Sequence, residues 1–132
     1  MQNIDEIVAG YLHTAVWADG PDDLSRDASD NFGAGDAWFN ADLFSPATLA
    51  RARELVEDFV LQAEDAFPGC VEQAGERSFG GDVYLSCAGH GAGFFDRGYY
   101  ADGYASGLQD LARHNRNESM IELDDAGLIC LY

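Results

Sequence analysis

The segment SPATLARARELVEDFVLQAEDAF, residues 45–67, carries the clearest structural signal in the chain. Ser45 followed by Pro46 predicts a helix start, because the serine hydroxyl can cap the first free N–H groups and proline suits the first helical position. Apolar side chains then recur at helical spacing and predict the buried face: Leu49, Ala52, Val56, Phe59, Val60, Ala63 and Phe67. Pro68 and Gly69 predict the end of this helix.

The opposite side of the same helix is acidic. Glu54, Asp58 and Asp65 fall nearly in one line along the helix. Glu57 and Glu64 flank this line, and Leu61 lies among the five carboxylates. Side chains three or four residues apart are neighbours on a helix surface. The pattern therefore predicts a rigid, negatively charged partner-binding patch with an apolar anchor inside it.

The chain as a whole is also strongly acidic. Its 132 residues contain 24 Asp and Glu against seven positive side chains, all of them Arg, and the formal net charge is −17. This balance argues against direct binding to nucleic acid or to an anionic membrane surface. A hydrophobic content of 47% is sufficient for a buried core. The length of the chain and its lack of an internal repeat or a Pro- or Ser-rich linker predict a single domain over residues 1–132. The N-terminal sequence does not resemble a secretory signal, so we expect a cytoplasmic protein.

The remaining segments predict an α+β fold. Asn3 resembles an N-cap for a first helix that ends near Trp17, with His13 on its exposed side. Residues 82–87 resemble a strand, with a returning strand from Phe94, and a further helix is expected after Asp102. Residues 119–123 and 128–132 predict a C-terminal hairpin. Together these elements predict a small antiparallel sheet of two hairpins, covered by about three helices.

A long Asp- and Gly-rich loop is expected at residues 19–44. Its carboxylates predict a second acidic patch: Asp22, Asp23, Asp27, Asp30 and Asp36. The spacing from Asp27 resembles the start of a calcium loop, but Phe32 and Trp38 stand where glycine and glutamate would be needed. Neither this loop nor the three cysteines predict a metal site or a cofactor, and the cysteines are expected to be buried thiols.

The Gly-rich segment at residues 88–98 offers an alternative site. Its glycines can expose successive N–H groups as an anion nest, and His90, Asp96 and Arg97 supply groups for catalysis. No nucleophile elbow accompanies it. A phosphate-binding lysine is also excluded, because the chain contains no lysine. A tight hairpin with local hydrogen bonds explains the same residues more simply.

The sequence AGHGAGFFDRGYYADGYASGLQDLA, residues 88–112, also carries a resemblance. Together with the acidic C-terminal hairpin, it resembles a family of small acidic proteins encoded by phages and other mobile elements, which carry NGHGAGFWDRG after a strand. Ala88 and Phe95 replace the family's Asn and Trp. The resemblance covers residues 80–132 and implies a phage or mobile-element setting in the cytoplasm of a bacterial or archaeal host. In that setting we expect the protein to act on a host machine, such as a defence nuclease. It implies no activity and no catalytic residue.

Three functions follow from these features. The leading hypothesis is a nucleic-acid mimic or inhibitor that occupies the basic surface of a host nucleic-acid-binding or defence protein, since DNA-binding proteins present rows of Arg and Lys. The alternative is a generic interaction or accessory domain whose charge serves solubility or salt adaptation. The third is a small enzyme built around His90. We therefore expect a protein without catalytic activity, and the sequence leaves its oligomeric state open.

Overall fold

The computed structural model describes residues 3–20, 39–89, 93–94, 98–116 and 120–131. These residues form five α-helices, one 3-10 turn and one two-stranded sheet. In chain order the elements are α1 (Ile4–Asp19), the 3-10 turn (Ala41–Leu43), α2 (Pro46–Ala66), α3 (Cys70–Ala74), α4 (Glu76–Cys87), α5 (Tyr104–His114), β1 (Ile121–Leu123) and β2 (Ile129–Leu131).

The closest helix pair is α1 and α4, which meet backbone to backbone. A Cβ atom on Gly10 would lie 2.2 Å from the carbonyl oxygen of Arg77, and one on Gly80 would lie 2.0 Å from that of Ile7. A side chain at either position would therefore overlap the facing main chain. The glycines, although unfavourable within helices, are required for this approach.

The prediction of a strand at residues 82–87 is wrong, because this segment is the second half of α4. Every residue from Phe79 to Cys87 is buried. A helix covered on all sides loses the alternation of polar and apolar positions that distinguishes helix from strand. Gly80 and Gly81 also interrupt the helical signal, since glycine is a poor helix former.

The two helix starts predicted from caps are confirmed. The Asn3 side chain accepts hydrogen bonds from the N–H groups of Asp5 and Glu6, at 3.1 and 3.4 Å. The Ser45 hydroxyl accepts one from Thr48 N–H at 3.2 Å. The predicted face of α2 is also inward, and its Phe59 ring packs against Phe79 and Phe94 in the core.

The C-terminal hairpin is confirmed, with β1 and β2 pairing antiparallel. Gly127 in its turn has a φ of +82°, a conformation that glycine adopts without strain. A short parallel bridge joins Ile129 to Phe44, so the chain before α2 lies beside β2.

The predicted fold class is wrong in its particulars. The described residues hold one hairpin rather than two, and five helices rather than about three. Phe94 lies in a turn and not in a returning strand, while Phe95 lies outside the described residues. The expected exposure of His13 is also wrong, because its side chain is buried in α1. The architecture is a mostly helical domain with a small sheet at its C-terminal end.

Candidate functional site

The outward side of α2 presents the predicted patch to solvent. Glu54, Glu57, Asp58 and Asp65 are exposed, while Glu64 is half-buried. Leu61 stands among them with 74% of its surface accessible, the most exposed of the large apolar side chains in the described residues. The side chains of Arg51 and Leu55 join Glu54, Asp58 and Leu61 in lining a shallow groove along this face.

Two carboxylates of the patch have intramolecular partners. Arg53 pairs with Glu57, with Nε and Oε1 2.9 Å apart, and also with Asp5 on α1. Glu64 accepts hydrogen bonds from the backbone N–H and the thiol of Cys70, at 3.0 and 3.2 Å. Its carboxylate thereby caps the start of α3.

The remaining three carboxylates face solvent. Neither Glu54 nor Asp65 forms a salt bridge in the described part of the chain, although Arg51 lines the same groove as Glu54. Asp58 accepts a hydrogen bond from the amide of Gln62 at 3.5 Å. We name Glu54, Asp58 and Asp65, together with Leu61, the acidic face. It is the part of the predicted patch that is available to a partner.

The other predicted sites fall outside the described residues. This applies to the second acidic patch, formed by Asp22, Asp23, Asp27, Asp30 and Asp36. It applies equally to His90, Asp96 and Arg97 of the alternative site.

A buried polar cluster beside the Gly-rich segment was not predicted from the sequence. Asp82 on α4 is fully buried, and one of its carboxylate oxygens accepts hydrogen bonds from the hydroxyls of Tyr99 and Tyr100, at 2.6 and 2.8 Å. Burial, followed by the nearby Asp82 charge, raises the pKa of Tyr100 well above its ordinary value. Tyr100 therefore remains a hydrogen-bond donor at neutral pH. The two adjacent tyrosines after an apolar segment are the sequence feature that could have indicated this cluster.

A second contact fastens the same segment to α4. The Ser86 hydroxyl accepts a hydrogen bond from Phe94 N–H at 3.3 Å, and a Cβ on Gly93 would lie 2.2 Å from that hydroxyl oxygen. The Phe94 ring is fully buried against Phe59 and Tyr100. The described part of the Gly-rich segment therefore packs as scaffold on α4.

The cysteines are free and buried, as predicted. Burial raises the pKa of Cys87 to about 12, and burial together with the Glu64 hydrogen bond raises that of Cys70 to about 12. A thiol with such a pKa is almost entirely protonated at neutral pH and is a poor nucleophile. Within the described ranges, no three His, Cys, Asp or Glu side chains gather closely enough to hold a metal ion.

No helix of the described residues is both long and apolar enough to cross a membrane. Comparisons of the chain with protein-family models, with curated proteins and with solved structures found no match.

Proposed function

We propose that the protein is a binding module whose acidic face occupies the basic surface of a nucleic-acid-binding protein, in place of nucleic acid. The observation that supports this most directly is the solvent-facing row of Glu54, Asp58 and Asp65 on one long helix. The resemblance of residues 80–132 to small acidic phage proteins favours a host protein as the partner.

The spacing of the row suits a surface that binds phosphates. With a rise of about 1.5 Å per residue, Glu54 and Asp58 lie about 6 Å apart along the helix axis, and Glu54 and Asp65 about 16 Å. A helix holds these charges at fixed separations, so a basic groove meets them without having to order a flexible chain. Long-range attraction toward a net charge of −17 also speeds encounter.

Leu61 adds a contact that charge alone does not supply. An exposed leucine between Glu54, Asp58 and Asp65 loses its contact with water when a partner covers the face, which favours binding. The aliphatic stems of Lys and Arg in a basic groove can pack against it while their charged ends reach the carboxylates.

The test is affinity capture from a bacterial lysate, followed by elution with duplex DNA. Captured proteins should bind nucleic acid, should be displaced by the duplex, and should be captured less well as salt rises. The triple variant Glu54→Gln, Asp58→Asn, Asp65→Asn should lose this capture.

A matched variant controls for net charge. Asp42, Glu72 and Asp102 are exposed carboxylates outside both α2 and the C-terminal hairpin, and replacing them by Asn, Gln and Asn removes the same three charges. This control should retain most of the capture. A specific role of the acidic face is contradicted if wild type and both variants are equally effective in capture, or if both variants lose capture equally. The negative charge would then serve only general solubility.

A further inference from the structure

The outer edge of β1 carries backbone groups that no described residue satisfies. The Asp124 N–H donates a hydrogen bond to the carbonyl of Leu128 at 2.9 Å. This bond establishes which residues of β1 direct their N–H and C=O groups toward β2. In an antiparallel pair, residues alternate between those bonded to the partner strand and those pointing away from it. By this alternation Glu122 bonds to Cys130, whereas the N–H and C=O groups of Ile121 and Leu123 point away from β2.

The hydrogen bonds at the outer edge of β2 agree with this alternation. The outward carbonyl of Ile129 on β2 accepts a hydrogen bond from Ser45 N–H at 3.0 Å, and the outward N–H of Leu131 donates to the Thr48 hydroxyl at 3.2 Å. The edge of β2 is thus covered by the chain around the start of α2. The edge of β1 has no such cover among the described residues.

The side chains around this open edge are apolar and acidic. Met120 and Leu123 are 64% and 52% exposed, and the side chains of Glu122 and Asp125 are exposed beside them. Proteins commonly protect a free edge with lysine, proline or a covering loop. Here the edge combines hydrogen-bonding groups that have no partner in the described part of the chain with apolar surface and negative charge.

We propose that β1 accepts an extended segment of a partner protein, with alternating apolar and basic side chains, as an added strand. Such strand addition uses main-chain hydrogen bonds for affinity and alternate side chains for selectivity. The four outward groups of Ile121 and Leu123 supply the hydrogen bonds, Met120 and Leu123 the apolar contact, and Glu122 the contact with a basic side chain.

The charge favours this occupant over a second copy of the chain. Pairing two copies antiparallel about Glu122 would place this carboxylate opposite the same carboxylate of the other copy, and like charges across paired strands are destabilising. Each copy also carries a net charge of −17. A basic strand meets the same groups with attraction instead.

The experiment titrates the full chain with an acetylated and amidated hexapeptide of alternating lysine and valine, followed by NMR. The backbone amides of Ile121 and Leu123 should shift, and their hydrogen exchange should slow by about tenfold or more as they become hydrogen-bonded. The Glu122 amide, already bonded to β2, should change far less. A glutamate–valine peptide of equal length should not bind.

Two substitutions at Leu123 distinguish the contribution of its backbone N–H to peptide binding from that of its side chain. Leu123→Pro removes an outward N–H without removing a bond of the β1–β2 ladder, and proline is tolerated on edges of this kind. It should weaken peptide binding by about tenfold or more, while Leu123→Ala, which keeps the N–H, should weaken it by about threefold or less. Unfolding curves show whether each variant is folded, and the wild-type exchange pattern tests the proposal independently of both.

Three outcomes would overturn the proposal: equal binding to wild type and a folded Leu123→Pro variant, protection of amides elsewhere than β1, or protection of Ile121 and Leu123 by self-association without peptide. The inference does not depend on the acidic face. The variant with Glu54, Asp58 and Asp65 neutralised should bind the peptide within about twofold of wild type, since these residues lie on another element. Failure of one proposal is therefore distinguishable from failure of the other.

Discussion

Tyr100 donates a hydrogen bond to the buried carboxylate of Asp82 at 2.8 Å, across 18 residues of chain. This bond and the neighbouring one from Tyr99 hold the end of the Gly-rich segment against α4. Because Asp82 has no exposed surface, its carboxylate depends on protein donors for the hydrogen bonds that water would otherwise make.

Replacing Asp82 should therefore be costly. Asp82→Ala leaves the hydroxyls of Tyr99 and Tyr100 without this acceptor and opens a small void, and should lower the free energy of unfolding by about 2–4 kcal/mol. Urea denaturation followed by circular dichroism measures the change. A double-mutant cycle with Tyr100→Phe should show strong non-additivity, because the two changes remove the same bond. Additive effects would contradict a direct coupling.

The glycine contact between α1 and α4 predicts that Gly80→Ala is destabilising. Alanine normally stabilises a helix relative to glycine, but here its Cβ would lie 2.0 Å from the backbone carbonyl oxygen of Ile7. We expect a loss of about 2–3 kcal/mol in unfolding experiments. Gly98→Ala is the control, since a Cβ there meets nothing within 4 Å and should change stability by less than about 0.5 kcal/mol. Similar effects at both positions would argue against the close approach.

Neighbouring carboxylates at the end of α2 should behave differently. Glu64→Ala removes the acceptor of the Cys70 N–H and should destabilise the protein by about 1 kcal/mol. Asp65→Ala, which removes the same charge from an exposed side chain, should be neutral, because it relieves repulsion without losing a bond. Thermal unfolding at low and high salt compares the two, and a neutral Glu64→Ala would show that the α3 cap is unimportant.

Stability should fall in alkaline solution. The thiols of Cys70 and Cys87 have an ordinary pKa of 9.0 and a folded-state pKa of about 12, since burial disfavours the thiolate. Above pH 9 the unfolded state releases these protons while the folded state retains them. The thiol contribution to stability is thus complete below pH 9 and is lost as pH rises toward 12, with a slope of up to about 1.4 kcal/mol per pH unit for each thiol.

Urea denaturation between pH 7 and 11 measures this slope. Burial also raises the pKa of Tyr84 and Tyr100, which adds to the fall above the ordinary pKa of tyrosine, 10.0. Cys87→Ala should lower stability at pH 7 by removing a buried group but should flatten the alkaline slope. An unchanged slope in this variant would show that the thiol does not titrate as proposed.

Leu61 should contribute to partner binding and little to folding. Leu61→Ala removes an exposed side chain at the centre of the acidic face and should weaken partner capture by about tenfold, with an unfolding midpoint close to wild type. Leu43→Ala is the control, since Leu43 is also exposed, at 51%, but lies on the 3-10 turn that precedes α2 and not on the acidic face. Equal affinities for both variants would remove Leu61 from the binding face.

The parts of the fold that could be predicted from sequence are those with local signals at both ends. Ser45 and Pro46 mark the start of α2, and its two-sided pattern identifies both the buried stripe and the acidic face. The identity of α4 could not be predicted in this way. This helix is buried on all sides, and its glycines are required only because α1 packs against them. Neither property can be recognised from the residues that are neighbours in the sequence.

The candidate site was predictable to a similar extent. The line of Glu54, Asp58 and Asp65 follows from helical periodicity alone. The roles of Glu57 and Glu64 do not, because the first depends on the orientation of the Arg53 side chain and the second on where α3 begins. Asp82 was missed because a carboxylate within an apolar segment suggests a strand end unless its distant donors, Tyr99 and Tyr100, are known.

The backbone contact of α1 with α4 also sets how the chain between them can evolve. Gly80 lies against the backbone of Ile7, 73 positions earlier, so this contact closes a large loop that contains the Asp-rich residues 21–38. The entropy of closing such a loop rises only with the logarithm of its length, and even a doubling costs about 0.6 kcal/mol. Insertions or deletions in the Asp-rich segment therefore change the closure entropy very little, whereas one methyl group at Gly80 disrupts the junction that every such variant must retain.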